Sequence, residues 1–385
     1  MKGFVAFAVL LVAVGLASVA RSGHEFPVYP SYYPHEIQIE TIPREQAADL
    51  LRTGKIHAYV GLEPHFAGPL PDSIVAVESL GSFVTVRVNP ESPLAKNDES
   101  ICAVARTVVR EIARQGGRLI FHPYPVTPFH GDYLYHVDLA DAAKARLVAK
   151  TADAPTPSIR RPKIRASSPL TKSLVRPDWY SQDSTWDVAI EEASAGDLVT
   201  SSSIALNGWP GPPWIRTGWF VAAQLLADAP DDTRTRDRVQ ADLHRLQTGA
   251  YESTVDRINL ERGLVTQLST GCHKLVAGYT VKREYVNTEY SSGIENIGFD
   301  SIQGLNSPIF IRTVKLKDFP WNGWLVLGTD ARPMSAWNPI AGFTDGFGRL
   351  MWSALGDPAL LPSPNDAAWM LNRISDVQSN RGPMK

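Results

Sequence analysis

"EIQIETIPREQAADLLRTGKIHAYVG", residues 36–61, decides the fold class. Ile37 and Ile39 alternate with polar residues, which is the period of a half-buried strand. Pro43 then opens a helix whose apolar face is Ala47, Leu50 and Leu51, and Gly54 ends it. "KIHAYVG" returns as a second strand. The passage therefore predicts a strand, a crossover helix and a second strand, with parallel pairing as the outcome.

The same alternation of elements continues to residue 150. "GSFVTVRVN" (81–89) has Val84, Val86 and Val88 on one parity and reads as a strand. "DESICAVARTVVREIARQGG" starts a helix at Asp98 or Ser100, turns Ile101, Val104, Val108 and Ile112 inward, and stops at Gly116. "RLIFHPYPV" (118–126) reads as a strand and "DLADAAKARLVA" (138–149) as a short helix. Residues 21–150 are thus expected to form an α/β domain.

The passage at 36–61, with its L-x-x-G-K-I-H-x-x-x-G run from Leu51 to Gly61, resembles type 2 periplasmic solute-binding proteins. That resemblance implies an exported, two-lobed α/β receptor for a small ligand. It departs from the family in two places: "EFPVYPSYYP" (25–34) replaces a glycine-tipped strand and helix, and His57 stands where an acid often follows "GKI". The family pattern does not reach residues 178–385, so no ligand residue carries over.

Export is also legible at the start of the chain. Lys2 precedes an uncharged apolar run from Gly3 to Ala20, and Ser18 and Ala20 suit a cleavage site, so residues 1–20 read as a signal peptide. An uncleaved anchor is the alternative, and it would be the protein's only attachment to a membrane. Either reading places the bulk of the protein in the periplasm or another extracytoplasmic space. Cys102 and Cys272 are the only cysteines, too few for a disulfide scaffold; in an oxidising compartment they form one bridge or stay as two buried thiols.

Apolar content of 44% against 20% charged residues supports a substantial core and excludes disorder for most of the chain. All ten tryptophans lie between Trp179 and Trp369, while seven of nine histidines lie between His24 and His136, which points to two separately built regions. Between them "PTPSIRRPKIRASSPLTKSLVRP" (155–177) has five prolines, six Lys or Arg and no acid, so residues 151–177 read as an extended basic linker. Residues 21–150 hold 13 bases against 15 acids and residues 178–385 hold 18 against 24. Two mildly acidic regions lack the basic footprint of a nucleic-acid surface.

Residues 178–385 read as an α+β, Trp-rich domain. "NGWPGPPWIRTGWFVAAQLLADA" (207–229) runs from a Gly/Pro loop into a helix, and brings Trp209, Trp214 and Arg216 to the helix start, where an anionic group can bind. Two helices follow around Gly249, with Val239, Leu243 and Leu246, then Val255, Ile258 and Leu264, facing inward. "HKLVAGYTVKREYVN", "SPIFIRTVKLKDF" and "GWLVLGT" read as strands, the last two joined by a hairpin at Asn322–Gly323.

"HPYPVTPFHGDYLYH" (122–136) carries three histidines. A strand from Gly131 would align His130, Asp132, Leu134 and His136 on one face, with His122 folding back across the prolines. Three readings follow. His122, His130 and His136 bind zinc or copper; Tyr124 and Tyr133 line a ligand pocket together with Trp209, Trp214 and Arg216; or the segment is an aromatic turn.

No G-x-S-x-G, H-E-x-x-H, Walker A or G-x-G-x-x-G occurs, which weakens enzymatic readings. The leading expectation is an exported periplasmic binding protein for a small polar or anionic ligand, serving transport, sensing or delivery. The alternatives are an exported metalloprotein or metal-dependent enzyme using the three histidines, and an accessory subunit bound to an envelope protein partner.

Overall fold

The elements expected of residues 36–61 form as β1 (Glu36–Thr41), α1 (Arg44–Arg52) and β2 (Ala58–Val60). They belong to a computed structural model that describes residues 34, 36–148, 161–200, 211–230, 232–289, 293–318, 323–334, 345–356, 358–364 and 366–377. The expected signal peptide lies outside the described residues. β1 and β2 run parallel, as expected, but do not touch: β10 (Trp324–Thr329) inserts between them and pairs in parallel with both.

From β2 the sheet continues through β7 (Lys274–Asn287), β3 (Ile74–Val88), β6 (Val188–Ser194) and β5 (Ile164–Ala166). β4 (Ile120–Phe121) adds to one end of β7. Pairing is antiparallel for β2–β7, β7–β3 and β3–β6, and parallel for β6–β5. The result is a mixed eight-stranded sheet that draws strands from both sides of the basic segment.

Helices cover both faces of this sheet, which is why its central strands are buried on both sides. On one face Val84, Val86 and Ile190 pack with Val104, Val108 and Ile112 of α2 (Asp98–Gln115). α2 begins as the sequence predicts: Asn97 and Ser100 cap each other's amides, and Gly116, at φ 65°, ends the helix. On the other face Leu80, Phe83 and Tyr279 pack with α5 (Ala195–Thr200), α6 (Gly218–Leu226), α7 (Thr233–Thr248) and α8 (Thr254–Leu268). α6 is apolar nearly all round and buried accordingly, Gln224 excepted. α3 (Val137–Val148) reaches both cores, through Leu147 on one side and Ala140 and Ala143 on the other.

Several expectations change. The second half of the basic segment is not a free tether: Ile164 and Ala166 of β5 are buried in the core beneath α2, and α4 (Pro169–Ser173) follows with a Ser168–Thr171 capping box. Its charges are matched locally, Lys163 by Asp183 at 3.3 Å and Arg176 by Asp178 at 3.0 Å. "SPIFIR" is a helix, α9 (Pro308–Thr313), because Pro308 takes the first helical position after Ser307. Within this stretch Lys315–Leu316 forms a strand, β9, and it pairs with β8 (Ile294–Asn296); Asn322 of the expected hairpin turn lies outside the described residues.

Cys102 and Cys272 form a disulfide with Cα atoms 4.9 Å apart. It ties the second turn of α2 to the turn entering β7, beside Val88, Ile101 and Ala105.

Candidate functional site

The histidine segment is neither a strand nor a metal cradle. Its backbone closes a series of turns, with the amides of His130, Tyr133, Tyr135 and His136 donating to the carbonyls of Thr127, His130, Asp132 and Tyr133. A 3₁₀ turn at Tyr133–Tyr135 then leads into α3. The strand reading would place Leu134 inward with its neighbours of equal parity; instead Leu134 is 81% exposed while His130, Asp132 and His136 are buried.

Each imidazole is committed to its own surroundings. His122 Nε2 donates to the Val126 carbonyl at 2.8 Å. His130 Nδ1 accepts the Thr127 amide at 2.9 Å, and its ring stacks on Phe83. His136 Nδ1 bonds the Tyr124 hydroxyl at 2.9 Å. Burial holds all three rings neutral, driving His130 down to about 3 and His136 to about 4. Among the described residues no group of three or more His, Cys, Asp or Glu is placed to hold a metal ion. The three rings expected as zinc or copper ligands are therefore polar members of an aromatic cluster.

Asp132 has the most consequential position in the segment. Its Oδ1 accepts the Gly218 amide at 2.7 Å and its Oδ2 the Trp219 amide at 3.2 Å, so the carboxylate caps α6. The anion expected at this helix N-terminus is the protein's own side chain, supplied from 86 residues earlier in the chain. Burial raises the carboxyl's pKa against the pull of the two α6 amides.

The cap depends on Gly218, whose missing Cβ would stand 2.3 Å from Val126 Cγ1. Gly218→Ala is expected to cost about 1–3 kcal/mol by overpacking, read as a lower urea midpoint, with Val126→Ala removing the two Cγ contacts and so restoring part of the loss. An unchanged midpoint would show that the approach is not tight.

Between this segment and the helices lies a recess of about 320 Å³, lined from both halves of the chain by Asp132, Tyr135, Trp214, Trp219, Tyr251, Arg257, Glu261 and Asp366, among others. Trp214 sits on the 3₁₀ turn Pro213–Arg216 and stacks on Trp219 with centroids 5.6 Å apart. On α8, Glu261 is 1% exposed; its Oε1 accepts Arg257 Nη1 at 2.5 Å. Glu261 Oε2 is buried with no hydrogen-bond partner among the described residues. Burial pushes this carboxyl up to about 7; Arg257 opposes the rise and the nearby Asp132 charge adds to it.

Of the ligand residues expected from sequence, the structure brings Trp214 to the recess and sets Tyr124 behind it through His136. Tyr133 packs against the His122 ring instead. Trp209 lies outside the described residues. Arg216 does not line the recess: it is buried against Asp300, Nε to Oδ2 2.7 Å, and also donates to Gln303. Gln303, Lys282, Asn306 and Arg349 line a smaller cavity of about 160 Å³ that has no aromatic wall.

Sequence reasoning missed Glu261, Arg257 and Tyr251. A signal was available for the first. The buried stripe of α8 is Leu260, Glu261, Leu264, Val265 and Leu268, whereas Val255, expected inward, is 67% exposed. Extending the Leu264–Leu268 face back by one turn places a glutamate among apolar positions, which marks a buried charge.

No family model and no curated protein matches this chain. Solved structures do show a likeness. HbpA2 from Haemophilus parasuis is 12% identical, with a TM-score of 0.36 over 71% of this chain and 56% of that one. The oligopeptide-binding protein AppA from Bacillus subtilis, in complex with a nonapeptide, is 10% identical, with a TM-score of 0.35 over 71% and 58%. DppA from Helicobacter pylori, an ABC transporter-associated periplasmic binding protein in complex with the peptide STSA, is 12% identical, with a TM-score of 0.34 over 71% and 55%. The matches span little more than half the length of these chains.

Proposed function

We propose that this protein is an exported solute-binding protein that holds a small polar ligand in the recess between the histidine segment, α6 and α8, for transport, sensing or delivery. The observation that carries this reading is the recess itself. Segments far apart in the chain converge there on an aromatic wall and a buried carboxylate with an open acceptor, the usual composition of a small-ligand site. The Cys102–Cys272 disulfide and the apolar leader both suit an extracytoplasmic location. The L-x-x-G-K-I-H-x-x-x-G run suits the receptor family. The anionic half of the expected ligand class loses support, because Asp132 occupies the α6 terminus and Asp300 holds Arg216. The metalloprotein alternative lacks a ligand set among the described residues.

Thermal-shift screening of the purified protein against amino acids, peptides, sugars, amines and organic acids tests the reading. A ligand at a hundred times its Kd should stabilise the native state by about 2.7 kcal/mol. Trp214→Ala should remove that stabilisation. Stabilisation by none of the classes, or one that survives Trp214→Ala, would overturn the assignment of this recess.

A further inference from the structure

We infer that the recess selects a cationic solute, seating an ammonium or guanidinium group against Glu261 Oε2. The inference rests on the reading of the recess as the ligand site, and adds the charge of what enters.

Among the described residues, the charged side chains lining the recess are three acids, Asp132, Glu261 and Asp366, and one base, Arg257. Asp132 and Glu261 are both buried, and Arg257 faces only one Glu261 oxygen. The α6 amides that bond Asp132 bring only the partial positive charge of a helix N-terminus, and among the described residues the side chains packed around the two acids add no full balancing charge. His136 Nε2 lies 4.0 Å from Asp132 Oδ2, and its ring is held neutral by burial. Tyr124, on the far side of that ring, has its hydroxyl pushed above its ordinary range, so it stays protonated. Arg262, also on α8, is taken by both oxygens of Asp138 at 2.7 Å. An anionic solute would therefore add like charge where water screens least, whereas a cation would relieve the excess.

Glu261 Oε2 is a buried acceptor with no donor among the described residues, so the group that satisfies it must bring an N–H or O–H. Trp214 and Trp219 form a stacked indole pair and Tyr251 lies nearby, the side-chain types whose faces attract cations.

Four-carbon probes that differ only at their ends separate the possibilities: 1,4-diaminobutane, 1,4-butanediol and succinate, titrated calorimetrically into the full-length purified protein at pH 8. The diamine should bind at least tenfold more tightly than either other probe. Its affinity should fall towards tenfold per pH unit below about pH 7, because protonated Glu261 no longer attracts a cation. Glu261→Gln should abolish that slope and weaken diamine binding at least tenfold. The comparison of probes on the unaltered chain stands even where this variant folds poorly. Succinate or butanediol binding as tightly as the diamine, and lost in Trp214→Ala, would overturn the cation inference while upholding the ligand site. Binding of no probe at millimolar concentration would overturn the cation inference, and the site reading falls with it only when the wider ligand screen is also silent.

Discussion

Reducing the Cys102–Cys272 disulfide, or replacing both cysteines by serine, is expected to remove about 3–5 kcal/mol of stability and to lower the urea midpoint accordingly. The sulfur bridge joins residues 170 positions apart. A closed loop of that length restricts the unfolded chain by about 5 kcal/mol in the chain-entropy model, near the upper end of measured effects. The loop has a functional content. It contains the histidine segment, Trp214, Trp219, Tyr251, Arg257 and Glu261, so one cross-link between α2 and the start of β7 holds both ends of nearly the whole recess lining. The expected signatures are a mobility shift on non-reducing gels and a midpoint that falls when reductant is added. Two titratable thiols in the native protein, or a midpoint indifferent to reductant, would refute the pairing.

A loss of similar size, about 3–5 kcal/mol, is expected for Arg216→Met. The side chain is buried and bonds Asp300, whose Oδ1 also takes the amides of Ile302 and Gln303 and so closes the 300–304 turn. Truncating the guanidinium strands a carboxylate that is 1% exposed, and the penalty is mostly the desolvation of that unpaired charge. Asp300→Asn in the Arg216→Met background removes the charge while keeping an acceptor for the two amides, so the double variant should regain a substantial part of the loss. Urea unfolding of the two single variants and the double variant measures the coupling. A single-variant loss below about 1 kcal/mol would mean that the pair is not desolvated in solution. The same pairing keeps Arg216 from the recess: its charge is spent inside the fold.

Both cases show where legibility ends. α2 was readable to its last turn because its start at Asp98, its stop at Gly116 and its inward residues Ile101, Val104, Val108 and Ile112 follow from residues within a few positions of one another, although its N-cap, Asn97, was not picked out. The two helices around Gly249 were readable for the same reason: the glycine takes the left-handed conformation, φ 69°, that ends α7. "SPIFIR" misled because a short apolar run suits strand and helix alike, and here the proline position was the better guide. "GDYLYHV" misled because backbone turns and the demand of α6 for a capping carboxylate outweighed the strand pattern.

The sequence by itself determined the α/β character, the positions of most helices and strands, the disulfide as one of two options, and the aromatic and histidine clusters. These depend on side-chain period, capping and composition, which act over one or two turns of chain. Only the tertiary structure decided that β10 divides β1 from β2, that Asp132 caps α6, that Arg216 is consumed by Asp300, and that Glu261 stands buried in an aromatic recess. Each of those outcomes depends on hydrogen-bond partners and loss of water supplied by segments far along the chain. The apolar neighbours of Glu261 on α8 mark it as inward-facing, but they carry no record of the distant partners that surround it and give its charge a role.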